Sequence, residues 1–370
     1  MVAVVAVGDN KTLIWGMTTA ERIRRIAAMH QLPSVDEASR DGAVLLVNSA
    51  FVFDPELLRL YASLPGSALT LGGVPIIAHC RDAHQRANVE AAMIMARTLP
   101  ADCGLAVAQH ECSDVIVNPK LRKREQPFVV RLSPETSRAA ERASYFGAYK
   151  GVTDILTKYL WPEWALALTR LAARRHLSPN MVTSLGAVFC VAATILFWRG
   201  DYWIGMAAGL AFMVLDTVDG KLARCTITSS KWGNLFDHGL DQIHPPFWWY
   251  AWGIGLASYG RPLAPATFHL VMIAVVGGYV AQRLIERCFK QLFGLQIHVW
   301  TRLDSFFRLI TARRNPNMVI LFVSIVAGRA DVGLIALAWW TVLSCLFHLA
   351  RLVHALLLRR SGYVIRSWLG

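Results

Sequence analysis

Past residue 178 the chain is dominated by apolar runs on the scale of a bilayer, and this limits the fold more than any other feature. A hydrocarbon core about 30 Å thick takes about 20 residues of helix to cross, and lipid offers backbone N–H and C=O groups no partners, so such runs must be helical. The runs fall at residues 179–198, 202–223, 234–258, 264–286, 316–328 and 332–356, which predicts six transmembrane helices. The fifth run is short of a full span and needs its polar-looking start to complete it. LSPNMVT and RNPNMVI place Ser178 and Asn315 ahead of a proline suited to a first helical turn, so each is expected to cap a helix entering the membrane. Composition agrees: 55% of residues are hydrophobic, 17% are charged and the mean hydropathy is +0.39, against about 25% charged in a soluble domain.

The first 150 residues read differently. The strand patterns VAVVAV, GAVLLVN, VPIIAHC and FVVRLS alternate with the helical patterns TTAERIRRIAAMHQL and RANVEAAMIMART. That order predicts a soluble α/β, Rossmann-like domain over residues 1–140, with a parallel sheet covered by helices. Residues 141–177 form a linker with an amphipathic helix at 154–176 that carries Trp161 and Trp164 and is expected to lie in the headgroup plane. The alternative is a plain linker helix packed on the soluble domain. Residues 178–370 form the membrane domain. The start, MVAVVAVGDN, has neither the basic residues nor the apolar length of a secretory signal, so the front half is expected in the cytoplasm. Cys80, Cys103, Cys112, Cys190, Cys225, Cys288 and Cys345 are scattered without a CxxC pair and read as ordinary thiols.

Basic residues set the orientation. Arg170, Arg174 and Arg175 precede the first run, Lys221, Arg224 and Lys231 lie between the second and third, a group from Arg283 to Arg314 lies between the fourth and fifth, and Arg359, Arg360 and Arg366 follow the sixth. The opposite loops hold Arg199, Arg261 and Arg329. The positive-inside rule therefore predicts an integral protein of the cytoplasmic (inner) membrane, with both termini on the cytoplasmic side. The net charge of +13 is a signal of topology on this reading, and it argues against nucleic acid as a partner.

Between two of the apolar runs lies LDTVDGKLARCTITSSKWGNLFDHGLD, residues 215–241, with aspartates at 216, 219, 237 and 241. If the second run stays helical through Arg224, then Asp216, Asp219, Gly220, Ala223 and Arg224 fall within an arc of about 140°. Gly233, Asp237 and Asp241 recur every four residues and form one stripe of the next helix. Two helices can thus present two carboxylates each to a common cleft. Carboxylates about 5 Å apart repel by roughly 3 kcal/mol at an effective dielectric near 20, so cations must offset them. An all-oxygen set suits Mg²⁺ or Mn²⁺ better than zinc, and two such ions can clamp the attacking and leaving oxygens of a phosphoryl displacement. The small Gly220 and Ala223 leave room for a ligand on the same face, where Arg224 is placed to hold phosphate oxygens. The site is therefore expected on the cytoplasmic side.

The pattern D-x2-D-G-x2-A-R-x8-G-x3-D-x3-D, filled here by Asp216, Asp219, Gly220, Ala223, Arg224, Gly233, Asp237 and Asp241, resembles the signature of the CDP-alcohol phosphotransferases at every position. The resemblance takes in SPNMVTSLG, the Ser229–Ser230 pair and the six-span plan, and so extends over about residues 178–356. It implies that an alcohol hydroxyl attacks the phosphorus distal to cytidine in a CDP-linked donor, and that CMP leaves. It implies Asp216, Asp219 and Asp237 as ligands of two divalent ions, with Asp241 a ligand or the base that accepts the hydroxyl proton. Gly220 and Ala223 would border cytidine and Arg224 the diphosphate, with Gly233 and Ser230 also near substrate. CDP-diacylglycerol with a polyol or polyol-phosphate acceptor is the expected pair, in a homodimeric enzyme of phospholipid synthesis. Arg313 and Arg314, just ahead of the fifth run, are the expected phosphate contacts of the acceptor, against the alternative that this basic loop attracts lipid headgroups. A cation transporter is the reading from another class, and it needs its carboxylates near mid-membrane rather than at helix ends.

The front domain resembles a sugar-phosphate nucleotidyltransferase fold, and its fusion to this membrane pattern resembles bifunctional inositol-phosphate cytidylyltransferase/di-inositol-phosphate phosphate synthase proteins. It departs from the first where chemistry needs it: the phosphate loop reads VGDNKT, with one glycine, and Asn48 stands where a metal-binding aspartate belongs. The expectation is a domain without nucleotidyl transfer. The alternative is an active cytidylyltransferase supplying a soluble CDP-polyol donor.

Overall fold

The computed structural model describes residues 2–35, 42–112, 115–229 and 231–370, except the side chains of Cys112, Lys231, Trp232, Asn234, Asp237 and His238. The chain forms two compact units. One comprises Met1–Tyr149, Thr169–Leu177 and Lys221–Ser229, the other Lys150–Leu168, Ser178–Gly220 and Ser230–Gly370.

The first unit is built on a five-stranded sheet of β1 (Ala3–Val7), β2 (Val44–Asn48), β4 (Ser67–Leu71), β5 (Val74–Cys80) and β6 (Ala106–Gln109), in the order β1-β2-β5-β4-β6. All five residues of β2 are buried, because successive side chains enter opposite layers. Leu45 and Val47 join Ile23 and Ile26 of α1 (Thr19–Met29) and Leu57 and Leu58 of α2 (Pro55–Ala62). Val44 and Leu46 join Val89 and Met93 of α3 (Ala83–Ile94). The expected parallel sheet is corrected here. β1 and β2 are parallel, but β5 runs antiparallel to both β2 and β4. The cause is local: Gly72 and Gly73 have φ of +55° and +79°, the backbone of a two-residue hairpin turn, and such a turn admits only antiparallel neighbours. FVVRLS is not part of this sheet either; β9 (Val129–Arg131) pairs with β3 (Phe51–Phe53). A second small sheet pairs β7 (Ile116–Asn118) with β8 (Lys123–Glu125), and α4 (Ser137–Gly147) closes the domain.

Asn48 is turned inward. Its amide donates to the Pro75 carbonyl at 2.9 Å, its side-chain oxygen accepts from the Ala50 N–H at 2.9 Å, and it is 2% exposed. In the VGDNKT loop, Asn10 likewise donates to the Leu132 carbonyl and accepts from the Thr12 N–H, both at 3.0 Å.

In the second unit, helices stand at all six positions where apolar runs predict spans: α6 (Pro179–Arg199), α7 (Tyr202–Cys225), α8 (Lys231–Gly255), α9 (Pro265–Met272) continuing through a wider turn into α10 (Gly278–Phe293), α12 (Arg314–Val326) and α13 (Ala330–Arg360). The last turn of α7 falls in the first unit. Among the described residues, four helical stretches are long and apolar enough to cross a membrane: Pro179–Arg199, Tyr202–Cys225, Pro265–Phe293 and Ala330–Arg360. α12 is shorter, and the first half of α8 carries the polar part of the aspartate stripe. Gly255 lets α8 close on the end of α6; a Cβ there would lie 1.9 Å from the Phe197 carbonyl oxygen.

Two local expectations are corrected. Ser178 caps α6, accepting from the Met181 N–H at 3.2 Å, but Asn315 caps nothing. α12 starts at Arg314 with Arg313 as its N-cap, and the Asn315 side chain, 6% exposed, is used elsewhere. The stretch 154–176 is not one interfacial helix. It makes a π-turn at Leu156–Leu160 before α5 (Pro162–Arg174), and Trp161 at the junction is fully buried, donating to Thr217 Oγ1 at 3.1 Å. Tyr159, Trp164 and Leu171 of the same stretch are exposed.

Candidate active site

Asp216 in α7 and Asp241 in α8 converge on one guanidinium. Arg314, in the first turn of α12, donates from Nη2 to Asp216 Oδ2 and from Nη1 to Asp241 Oδ1, each at 2.7 Å. Its remaining fork donor, Nε, bonds Asn315 Oδ1 at 2.9 Å, and the guanidinium carbon lies 4.8 Å from the centre of the Phe212 ring. Asn315 is held in turn: its amide donates to Asp154 Oδ1 and Thr157 Oγ1, both at 3.1 Å. Asp154 lies outside the apolar helices. Burial pushes its carboxyl up, but the Arg308 guanidinium and the hydrogen bonds from Thr157 and Asn315 outweigh burial and hold it below the usual carboxylate range. A chain of polar contacts therefore runs from Asp154 through Asn315 and Arg314 to both aspartates. The misread cap is thus explained: Asn315 is the strut that orients Arg314.

Asp219 is 3% exposed, and Thr183 of α6 donates to its Oδ2 at 2.5 Å. Gly220 and Gly233 are half-buried in α7 and in the first turn of α8. Asp237 lies on α8 with its side chain outside the described residues, and Ser230 lies outside them altogether. α7 is unbroken from Asp216 to Arg224, as the spacing argument requires. Ala223 and Arg224 belong to its last turn, in the first unit, where Arg224 Nε donates to the Ala148 carbonyl at 3.1 Å.

Directly after Asp241, α8 contains Pro245 and Pro246. Proline has no N–H, so the carbonyls of Asp241 and Gln242 lose the donors an α-helix would give them. The Tyr279 hydroxyl of α10 supplies one, bonding the Gln242 carbonyl at 3.0 Å.

Beside this lies a cluster that the sequence reading missed apart from Arg313. Arg313 Nη2 donates to Glu286 Oε2 at 2.6 Å and lies 3.2 Å from His298 Nε2; Arg283 Nη2 is 3.2 Å from Glu286 Oε1. His348 stacks edge-on to His298 with ring centroids 5.2 Å apart. Burial keeps His298 neutral, well below the ordinary histidine range. The ligand atoms of Glu286, His298 and His348 lie within 4.8 Å of one another, yet two guanidiniums on one carboxylate make this a poor place for a further cation. The available signal was RLIERC at the end of an apolar run, since ionisable residues adjoining a candidate span mark function by default.

The sequence profile of the family described as CDP-alcohol phosphatidyltransferase matches residues 176–311. Among curated proteins, the chain is 36% identical over 93 residues to phosphatidylinositol phosphate synthase of Streptomyces avermitilis, covering 24% of this chain and 38% of that one. It is 33% identical over 129 residues to cholinephosphotransferase 1 of Gallus gallus, covering 31% of this chain and 36% of the relative. It is 34% identical over 146 residues to choline/ethanolaminephosphotransferase 1 of Arabidopsis thaliana, covering 36% of each. The chain thus spans little more than a third of the length of these relatives. The matched stretch takes in the helices that carry Asp216 and Asp241, and over residues 176–311 the chain is similar to the CDP-alcohol phosphatidyltransferase family.

Proposed function

We propose that the membrane half transfers a phospho-alcohol group from a CDP-linked donor to an alcohol and releases CMP. The observation that carries this is the convergence of Asp216 and Asp241, from two helices, on one positive centre. Both offer only oxygen, so the donor set fits a hard divalent cation such as Mg²⁺ or Mn²⁺, which would compete with the Arg314 guanidinium that offsets their repulsion here. Asp216, Asp219, Asp237 and Asp241 are the residues that would hold two such ions. When bound, the ions would neutralise the diphosphate and stabilise the oxygens that gain charge as the phosphorus–oxygen bond to CMP breaks.

The chain's own residues carry the other tasks. Asp241, 42% exposed where Asp216 is 17%, is the carboxylate open enough to take the proton of the attacking hydroxyl. The acceptor oxygen then bonds the distal phosphorus, and the electron pair of the broken bond leaves with CMP. Gly220, Ala223, Gly233 and Ser230 would line the donor, and Arg224 would bind its diphosphate. With Arg283 and Arg313 against the single charge of Glu286, and with His298 neutral, the second cluster is net positive. This favours an acceptor bearing phosphate over a neutral alcohol, with Arg313 as its contact.

CDP-diacylglycerol is the donor we assign, because one relative is named phosphatidylinositol phosphate synthase and α7, which carries Asp216, is long and apolar enough to cross a membrane. Six spans, a cytoplasmic site and a homodimer in the inner membrane complete the reading, on the placement of the basic residues and on family likeness. The front domain performs no nucleotidyl transfer, because both polar ends of Asn48 are bonded to backbone. The test is purified protein in lipid with Mg²⁺ and a panel of CDP-donors and alcohols, read by CMP release. Release with CDP-diacylglycerol and a polyol phosphate is expected. Absence of release with every pair refutes the reading, and pyrophosphate release from CTP refutes the assignment of the front domain.

A further inference from the structure

The last turn of α7 is held by contacts a helix end does not ordinarily need. The chain leaves the helix through a bond from the Thr228 N–H to the Ala223 carbonyl, 2.8 Å, with Ile227 in the left-handed region at φ +52°. Glycine normally occupies that position, and a β-branched residue there is strained. What keeps isoleucine is its side chain, which packs on the front-domain core around Val4, Ile23 and Ile26. Two carbonyls at the helix end, left without N–H partners by helix geometry, are taken by guanidiniums of α1. Arg22 Nη1 donates to Cys225 O at 2.7 Å and Arg25 Nη1 to Thr226 O at 2.9 Å. Arg22 is 2% exposed; burial lowers it to about 10, so it is still charged at neutral pH. On the same turn the Lys221 ammonium lies over the rings of Tyr149 and Tyr145, and Arg224 reaches Ala148.

We propose that Arg22, Arg25 and Ile227 are positioning residues for donor binding: they clamp the last turn of α7, and through it fix the attitude of Arg224. This rests on the reading of Arg224 as the diphosphate contact. It gives the front domain a task that does not need nucleotidyl transfer. The clamp is made of charge-assisted bonds to carbonyls and one side chain in an apolar core, so loosening it frees the turn without removing a group that touches substrate.

The experiment uses the full chain in lipid nanodiscs, comparing the parent with Arg22→Gln/Arg25→Gln, Arg22→Lys, Ile227→Asn and, as a surface control, Arg59→Gln. Amide exchange over 222–229, the Kd for CDP with Mg²⁺ and the steady-state constants are measured. In the double variant and in Ile227→Asn, exchange should quicken and the Kd for CDP and the KM for the donor should rise about tenfold, the loss of one charge-assisted contact, with kcat within about twofold. Arg22→Lys should recover most of the binding, and Arg59→Gln should match the parent. Unchanged exchange over 222–229 overturns the clamp. Faster exchange with unchanged CDP affinity overturns the positioning role. CDP binding that weakens as expected in a parent without CMP release would sustain the clamp while refuting the transferase reading.

Discussion

Replacing Arg314 by glutamine isolates the electrostatic problem at the centre of the site. The guanidinium bonds Asp216 and Asp241 at 2.7 Å each, with side-chain exposures of 12%, 17% and 42% for Arg314, Asp216 and Asp241. Without it, two carboxylates about 5 Å apart repel by about 3 kcal/mol at an effective dielectric near 20. Water at the more exposed Asp241 screens part of this, leaving about 2 kcal/mol. At roughly 2–4 °C per kcal/mol for a unit of this size, Arg314→Gln should unfold about 4–8 °C below the parent in metal-free lipid. A divalent ion would meet the same carboxylates without a competing guanidinium. At a hundred times its Kd it adds about 2.7 kcal/mol, enough to cover the deficit. Thermal scans with EDTA and with saturating Mg²⁺ should therefore show the variant gaining more from the ion than the parent does. An equal deficit in both conditions would refute the reasoning, because the lost charge would then be irrelevant to cation binding.

Asp216→Asn and Asp237→Asn each remove a formal charge at nearly constant volume and should lower CMP release by orders of magnitude while the protein remains folded and inserted; near-normal rates in both would remove the metal assignment. Tyr279→Phe should cost about 1–2 kcal/mol by stranding the Gln242 carbonyl. Restoring the backbone N–H with Pro246→Ala should shrink that cost, and a double-mutant cycle with no coupling would show that the hydroxyl has another role. Asp154, whose folded pKa is depressed, contributes stability that is present above the unfolded carboxylate pKa of about 4 and is lost as pH falls through the lower folded value. Stability of Asp154→Asn measured from neutral pH down to about pH 3 should lack that acid-side loss, and a parent-like profile would place the titration elsewhere.

What was legible in the residues themselves was whatever depends on spacing along one element. Apolar runs, the fifth of them shorter than a span, located helices at 179–199, 202–225, 231–255, 265–293, 314–326 and 330–360, because a backbone in lipid has only one way to satisfy itself locally. The spacing of the aspartates put Asp216 and Asp219 on one face of α7 and Asp237 and Asp241 on one stripe of α8, because helical period alone sets those faces. The hairpin at Gly72–Gly73 was also written in the chain, and the parallel expectation overlooked it. What only the tertiary structure decided are the contacts between residues far apart in sequence. That Arg314 is the counter-charge of Asp216, 98 positions away, follows from where α12 begins and not from any local rule. Asn315 reads as a cap because asparagine before proline commonly is one; it becomes a strut because Asp154 and Thr157, about 160 residues earlier, lie within hydrogen-bond reach. Glu286, His298 and His348 are single polar residues in separate elements, and no spacing links them until packing does. Local periodicity is a property of one segment's backbone, whereas a charge pair is a property of where two segments meet, and that meeting is set by the burial of side chains the pair itself does not contain.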